Sequence, residues 1–173
     1  MFPLQGNKIY LRLPHENDAD LIFAWENAQS AVEINLHKEA VSKTEVEEWI
    51  KTRHYDLDLE KELRLMICMK DNSVAGSVDL FEFDRENRRA GVGIIIEENF
   101  RTKGIATESL FLLKDYCFKK IKMNSLWCNI SAVNAASINL FEKCGFELSG
   151  VKKKWNVNAE SEFVDELFFQ CFA

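Results

Sequence analysis

The segment Arg101-Thr102-Lys103-Gly104-Ile105-Ala106 constrains this chain more than any other. It follows the apolar run Gly91-Val-Gly-Ile-Ile-Ile96 and opens an amphipathic stretch that continues to Lys120. A strand that breaks at a short polar loop and feeds a helix leaves several backbone N–H groups at the helix start without partners. Those donors, together with the positive end of the helix dipole, favour an anionic group, typically a phosphate. Gly104 lets a ligand approach the backbone closely, and Arg101 and Lys103 add positive charge. Taken alone, a glycine at a helix start is also the ordinary residue of a turn.

The elements around this junction alternate in a readable way. Lys8-Ile-Tyr-Leu-Arg-Leu13 has strand alternation, and Pro14 stops it. Asp18 to Ala28 carries Leu21, Ile22 and Trp25 at helical spacing. Ser42-Lys-Thr-Glu45 is a capping box ahead of Val46, Trp49 and Ile50, which share one helical face. The charged stretch Asp56 to Glu62 reads as a loop. Strands are predicted over Leu63–Lys70, Val74–Phe83 and Arg89–Ile96, joined by polar turns into an antiparallel meander. The third helix then leads to a strand over Ser125–Val133 and a fourth helix over Ala135–Cys144. Two closing strands, near Phe146–Trp155 and Phe163–Cys171, pair as a hairpin. The order specifies an α+β, or mixed α/β, layer: a central, mostly antiparallel seven-stranded sheet flanked by four helices. A parallel pairing of the fourth and fifth strands across the third helix is its crossover unit.

Composition narrows the function classes. At 173 residues with 47% apolar content, the chain reads as a single domain over residues 1–173 with its own core. A net charge of −6 and a pI near 5.2 argue against nucleic-acid binding, which needs a basic face. Five cysteines are odd in number and form no close pair, so they read as reduced, buried thiols. His15, His37 and His54 are too scattered for a zinc motif, and no metal is expected. The first residues show no basic-then-apolar signal pattern. No uncharged apolar run approaches the roughly 20 residues that span a bilayer, so no membrane partner and a cytoplasmic location are expected.

A second motif raises the specificity of the first. Asn134-Ala-Ala-Ser137-Ile-Asn-Leu-Phe141-Glu-Lys-Cys-Gly145-Phe146 lies about 30 residues downstream of the loop. In that order, the two segments resemble the GNAT acetyltransferase superfamily over nearly the whole chain. The loop is similar to the family's pattern for the pyrophosphate of acetyl-CoA, and the downstream segment to its N-x-x-(A/S)-x-x-(L/I)-Y-x-K-x-G-F stretch. The resemblance implies that the fourth and fifth strands splay apart and that acetyl-CoA sits in the gap. It implies that backbone groups of Ile94, Ile95 and Ile96 hold the pantetheine arm and polarise the thioester carbonyl. Arg101, Thr102, Lys103, Gly104, Ile105 and Ala106 would take the pyrophosphate, and Asn134 and Ser137 would contact the cofactor. Apart from the family, Ile94–Ile96 is a buried strand and Asn134 an N-cap, and both roles are compatible with cofactor contact.

The chain departs from the family at one catalytic position. Many relatives carry a Tyr that protonates the leaving thiolate, and here that position is Phe141, which cannot donate. Ala90 and Gly91 stand where some relatives place a carboxylate base, so the catalytic acid and base are unassigned. The chemistry tolerates this. An alkyl ammonium with a pKa of about 10.4 is only roughly a thousandth neutral at pH 7, so desolvation or a base is required on the amine side. The thiolate, with a pKa of about 8.5, leaves without much acid help, and proximity supplies much of the rate.

For the acceptor, Arg88-Arg89-Ala90, Ile94-Ile-Ile96 and Asp115-Tyr-x-Phe118 look similar to the spermidine/polyamine acetyltransferases. Asp79 and Glu82 match acidic positions of that group, and Glu33 and Glu39 add carboxylates between the first two helices. The plain reading of these acids is that of solvated surface charges. The opening Leu11-Arg-Leu, Asp18 and Trp25-Glu-Asn27, with Phe163-Val-Asp165-Glu-Leu-Phe168, is similar to the enzymes that acetylate ribosomal-protein N-termini. The resulting expectation is transfer of an acetyl group to a primary amine, a polyamine foremost. Its alternatives are a protein N-terminus, an amino sugar, a non-catalytic CoA-binding sensor, or an interaction domain without CoA. Homo-oligomerisation is compatible with all of these.

Overall fold

A computed structural model describes residues 2–27, 40–158 and 160–173. Among these residues, eight strands form one sheet: β1 Leu4–Gln5, β2 Ile9–Arg12, β3 Leu63–Met69, β4 Val74–Asp84, β5 Arg89–Ile96, β6 Ser125–Ser131, β7 Glu147–Val157 and β8 Phe163–Phe172. Their spatial order is β1-β2-β3-β4-β5-β6-β8-β7. Every neighbouring pair is antiparallel except β5 and β6, which run parallel as the crossover rule requires. The closing hairpin forms as expected, with β8 rather than β7 against β6.

Five α-helices lie among the described residues: α1 Ala19–Glu26, α2 Lys43–Thr52, α3 Leu57–Glu60, α4 Ile105–Asp115 and α5 Ala135–Lys143. Among the described residues, the strands and helices thus each exceed the expected seven and four by one. The extra strand, β1, has two residues, too few for alternation to register. The extra helix, α3, falls in the stretch read as a charged loop. Asp56 starts it by accepting from the Asp58 N–H at 2.9 Å, and only Leu57 of its four residues is buried. The amphipathic run after Gly104 does reach Lys120, but its last five residues, Tyr116–Lys120, form a π-helical turn.

Local chemistry explains where the other helices begin. The Ser42 hydroxyl accepts from the Glu45 N–H at 3.2 Å, and the Glu45 carboxylate accepts from the Ser42 N–H at 2.7 Å. This is the reciprocal capping box, and it turns Val46 and Ile50 into the protein. Ahead of α1, Asp18 is buried and takes two hydrogen bonds from the Arg12 guanidinium, at 2.6 and 2.8 Å. That pair fixes the start of α1 against β2, and the buried Asp18 carboxylate gains the charged partner it needs from a half-buried Arg12.

The sheet is covered on two faces. On one, Ile105, Leu110, Leu113 and Phe141 from α4 and α5 pack on Ile67, Val78 and Leu126. On the other, Ile22, Trp25, Val46 and Ile50 from α1 and α2 pack on Met66 and Cys68. Period-two alternation divides β5 between them: Ile94 and Ile96 join the first cluster and Ile95 the second. All five cysteines are free and buried, and burial pushes the Cys128 thiol up to about 12. No helix among the described residues is long and apolar enough to cross a membrane.

Candidate acetyl-CoA site

β5 and β6 pair at only three positions, Arg89–Ser125, Ala90–Leu126 and Gly91–Trp127. Beyond Gly91, β5 continues beside β4 as far as Ile96, while β6 continues beside β8 as far as Ser131. The two parallel strands thus part at Gly91 and Trp127. Along a strand, alternate residues direct their N–H and C=O groups to opposite neighbours. From Val92 to Ile96, the groups directed away from β4 face a gap instead of a strand.

Both helices that follow these strands begin at the same end of the gap. The loop ahead of α4 turns through Thr102 at φ 61° and Gly104 at φ 80°, both in the left-handed region. Glycine occupies that region at no steric cost, and Gly104 is the N-cap. No side chain caps α4, and its first internal bond runs from the Glu108 N–H to the Gly104 carbonyl at 3.1 Å. The N–H groups of the first turn are therefore open to an anion.

Three cations surround this turn, each tethered to a backbone carbonyl. Arg101 Nε donates to the Ile96 carbonyl at 3.1 Å, and Lys103 Nζ to Asn99 at 2.6 Å. Lys8, which the sequence did not single out, donates from Nζ to Lys103 at 3.1 Å. Each tether uses one donor of a group that has three or five, so charge and further donors remain at the loop.

At the second helix start, Asn134 Oδ1 accepts from the Ser137 N–H at 3.0 Å, so Asn134 is the N-cap of α5. Its amide NH2 is not engaged by that bond, which keeps the two readings of Asn134 compatible. Phe141 is 4% exposed and meets Phe146 edge-on, with ring centroids 5.0 Å apart. It offers packing and no proton.

The acids expected on the acceptor side separate. Asp79 is bound by Arg64 through both oxygens, at 2.9 and 3.0 Å, and Arg64 also reaches Glu26 at 2.7 Å. Burial works against the Arg64 charge, but Asp79 and then Glu26 more than offset it and hold the guanidinium above its ordinary pKa. Glu82 is exposed and sits at φ 48° in a bulge of β4, where Phe81 pairs with Gly91 and Asp84 with Arg89. The bulge aims Glu82 into an open groove of about 980 Å³ that Trp127 and Phe168 also line. Trp127 contacts Phe81 at 5.1 Å and Phe168 at 5.8 Å between centroids, forming an aromatic cluster at the point where the strands part. Glu33 and Glu39 lie outside the described residues. The cluster was not visible in sequence, because its members come from three strands whose register alone brings them together. Among the described residues, no group of histidine, cysteine and carboxylate side chains is arranged to hold a metal.

Comparison with known proteins agrees with this geometry. An uncharacterised prophage-derived N-acetyltransferase of Bacillus subtilis is 29% identical over 114 residues, covering 65% of this chain and 62% of the relative. The spermidine N(1)-acetyltransferase of Escherichia coli is 34% identical over 87 residues, covering 50% and 47%. The chain thus spans about half to three-fifths of the length of these curated relatives. Among solved structures, the spermidine N-acetyltransferase of Vibrio cholerae in complex with CoA and spermine superposes with a TM-score of 0.85. That match covers 96% of each chain at 21% identity, a likeness of fold. A model of the acetyltransferase (GNAT) domain matches residues 8–147, which contain the loop, the parting strands and the second helix start. The chain belongs to the GNAT acetyltransferase family.

Proposed function

We propose that this protein, as one catalytic domain, transfers the acetyl group of acetyl-CoA to a primary amine, with a polyamine as acceptor. The observation that carries the reading is the parting of β5 and β6 beside an uncapped, cation-ringed helix start. In this reading, the backbone of residues 101–106 holds the diphosphate and the backbone of Ile94, Ile95 and Ile96 holds the pantetheine arm. Asn134 and Ser137 meet the cofactor from the other side of the gap. The thioester then lies near Gly91 and Trp127, where the amine arrives from the face bearing Phe81, Trp127 and Phe168. The neutral amine nitrogen attacks the thioester carbon, the C–S bond breaks, and CoA departs as a thiolate while the new amide nitrogen loses its proton. With Phe141 in place of a donor, positioning carries the rate and water takes the proton.

The polyamine assignment rests on the groove. A flexible chain of ammonium groups and methylenes suits its aromatic faces and the carboxylates of Glu82 and Glu86. Two of the groove's cations, Arg85 and Arg89, are paired with Asp58 and Asp84. Among the acids named from sequence, Glu82 is the one that meets an ammonium directly, while Asp79 acts with Arg64 as a wall of the cleft. Glu33 completes the acidic set in this reading. The E. coli relative is named for spermidine, and a V. cholerae spermidine N-acetyltransferase is described as dodecameric. Accordingly, we propose a homo-oligomer here too, and a cytoplasmic site of action.

A thiol-release assay tests the proposal. With acetyl-CoA saturating, spermidine and spermine are expected to release CoA faster than basic N-terminal peptides or amino sugars. Glu82→Gln is expected to raise the polyamine KM about fivefold with kcat little changed. Silence across the whole panel, with CoA still bound, would replace the enzyme by a sensor. A preference for peptides would move the acceptor to protein N-termini.

A further inference from the structure

One cation reaches the phosphate loop from far outside it. Lys8 lies in the turn between β1 and β2, 95 residues before Lys103, and its ammonium donates to the Lys103 carbonyl at 3.1 Å. Its own backbone N–H donates to Glu108 Oε1 at 2.9 Å. On the other side of the turn, a Cβ on Gly6 would stand 2.4 Å from that same Glu108 oxygen and 3.0 Å from Leu112 Cδ1. The turn is closed by the Gly6 N–H on the Ile9 carbonyl at 2.9 Å. It is therefore a compact piece seated directly on the loop and the first turns of α4.

The charges explain why such a piece belongs there. Glu108 is an acid in the first turn of the helix whose start would face a diphosphate. The helix dipole attracts that carboxylate toward the same N–H groups a phosphate needs, and its charge opposes a second anion. The Lys8 N–H instead holds one oxygen of that carboxylate, at 2.9 Å, while the ammonium of the same residue brings a positive charge to the loop at the Lys103 carbonyl. Fixing the Lys103 carbonyl also keeps the Lys103–Gly104 peptide plane from rotating, which preserves the direction of the Gly104 N–H.

We infer that Lys8 is a positioning residue of the acetyl-CoA site. It acts through Lys103 and Glu108, restraining the loop and neutralising the helix-start carboxylate. This deepens the function proposed above and rests on it.

Calorimetric titration of CoA tests the assignment in five proteins: the parent, Lys8→Met, Lys8→Arg, Glu108→Gln and the double variant Lys8→Met/Glu108→Gln. Lys8→Met is expected to weaken CoA about fivefold at low ionic strength, and less at 0.5 M salt, where exposed charges are screened. Its kcat at saturating acetyl-CoA should stay within about twofold of the parent, and Lys8→Arg should recover most of the affinity. Glu108→Gln should improve binding about threefold in the Lys8→Met background and hardly at all in the parent, since Lys8 already offsets that charge there. A merely structural role would lower the melting temperature of Lys8→Met without this rescue. Unchanged CoA affinity in Lys8→Met, or the same effect of Glu108→Gln in both backgrounds, would overturn the role of Lys8 alone. A parent protein that takes no CoA would overturn both this inference and the function beneath it.

Discussion

Gly104→Asp is expected to weaken acetyl-CoA binding on the order of 100-fold, equivalent to about 2.8 kcal/mol, while leaving the protein folded. Two properties of the position combine. Its φ of 80° is one that Asp and Asn tolerate better than other side chains, and the nearest atom to a new Cβ is Lys8 Nζ at 3.8 Å. The backbone therefore accommodates the change at a cost of about 1 kcal/mol. The carboxylate, however, caps the N–H groups that would bind the diphosphate and places a negative charge against it. Gly104→Asn separates these effects. It caps about as well as Asp but carries no charge, so a smaller loss of about tenfold or less is expected. Calorimetry on the two variants reads the difference, and equal losses would locate the diphosphate away from this helix start.

The second large effect concerns stability. Arg64→Met is expected to lower the unfolding free energy by about 3 kcal/mol, seen as a fall in the denaturation midpoint with an unchanged slope. Arg64, Glu26 and Asp79 keep only 17%, 15% and 20% of their side-chain surface exposed. Removing the shared cation takes both guanidinium bonds from the Asp79 carboxylate in a poorly hydrated space. Because Glu26 is on α1 and Asp79 on β4, the loss also loosens the helix layer from the sheet. Trp49, whose ring lies 5.7 Å below the Arg64 guanidinium, loses that contact as well. A loss below about 1 kcal/mol would mean that the triad is hydrated and that Asp79 is available to an acceptor after all.

How much of this was legible in sequence differs by element. β5 runs from Arg89 to Ile96, the same bounds its apolar run and flanking turns indicate. The α2 start is legible because a capping box is a local pattern, with donor and acceptor three residues apart. The phosphate loop is legible for the same reason, since strand, loop and helix are contiguous. What escapes is whatever depends on register between distant strands. Asp79 reads as a free acid until β3 sets Arg64 directly opposite it. Trp127 reads as one more strand residue until β4 and β8 bring Phe81 and Phe168 to its edge. Lys8 carries no local mark of a role at a loop near residue 103. β1 and α3 are too short for periodicity, so their existence depends on the neighbours they pair with or pack against.

The gap between β5 and β6 was an expectation of the family resemblance, and the register bears it out. Pairing ends at Gly91 and Trp127, although both strands continue for several residues. A parallel pair that stops in mid-strand leaves backbone donors and acceptors that only a ligand or water can satisfy. This gives the gap its chemical meaning: it is an edge built to accept something extended and polar.

The most direct measurement is a titration of backbone amide resonances with acetyl-CoA. Shifts should concentrate at residues 102–106 and 92–96, on the two sides of the parted strands, with smaller changes at Asn134 and Ser137. Shifts confined to the Glu82–Trp127 groove, or spread over the exposed β7–β8 hairpin while the 102–106 amides stay still, would contradict a diphosphate held at the start of α4.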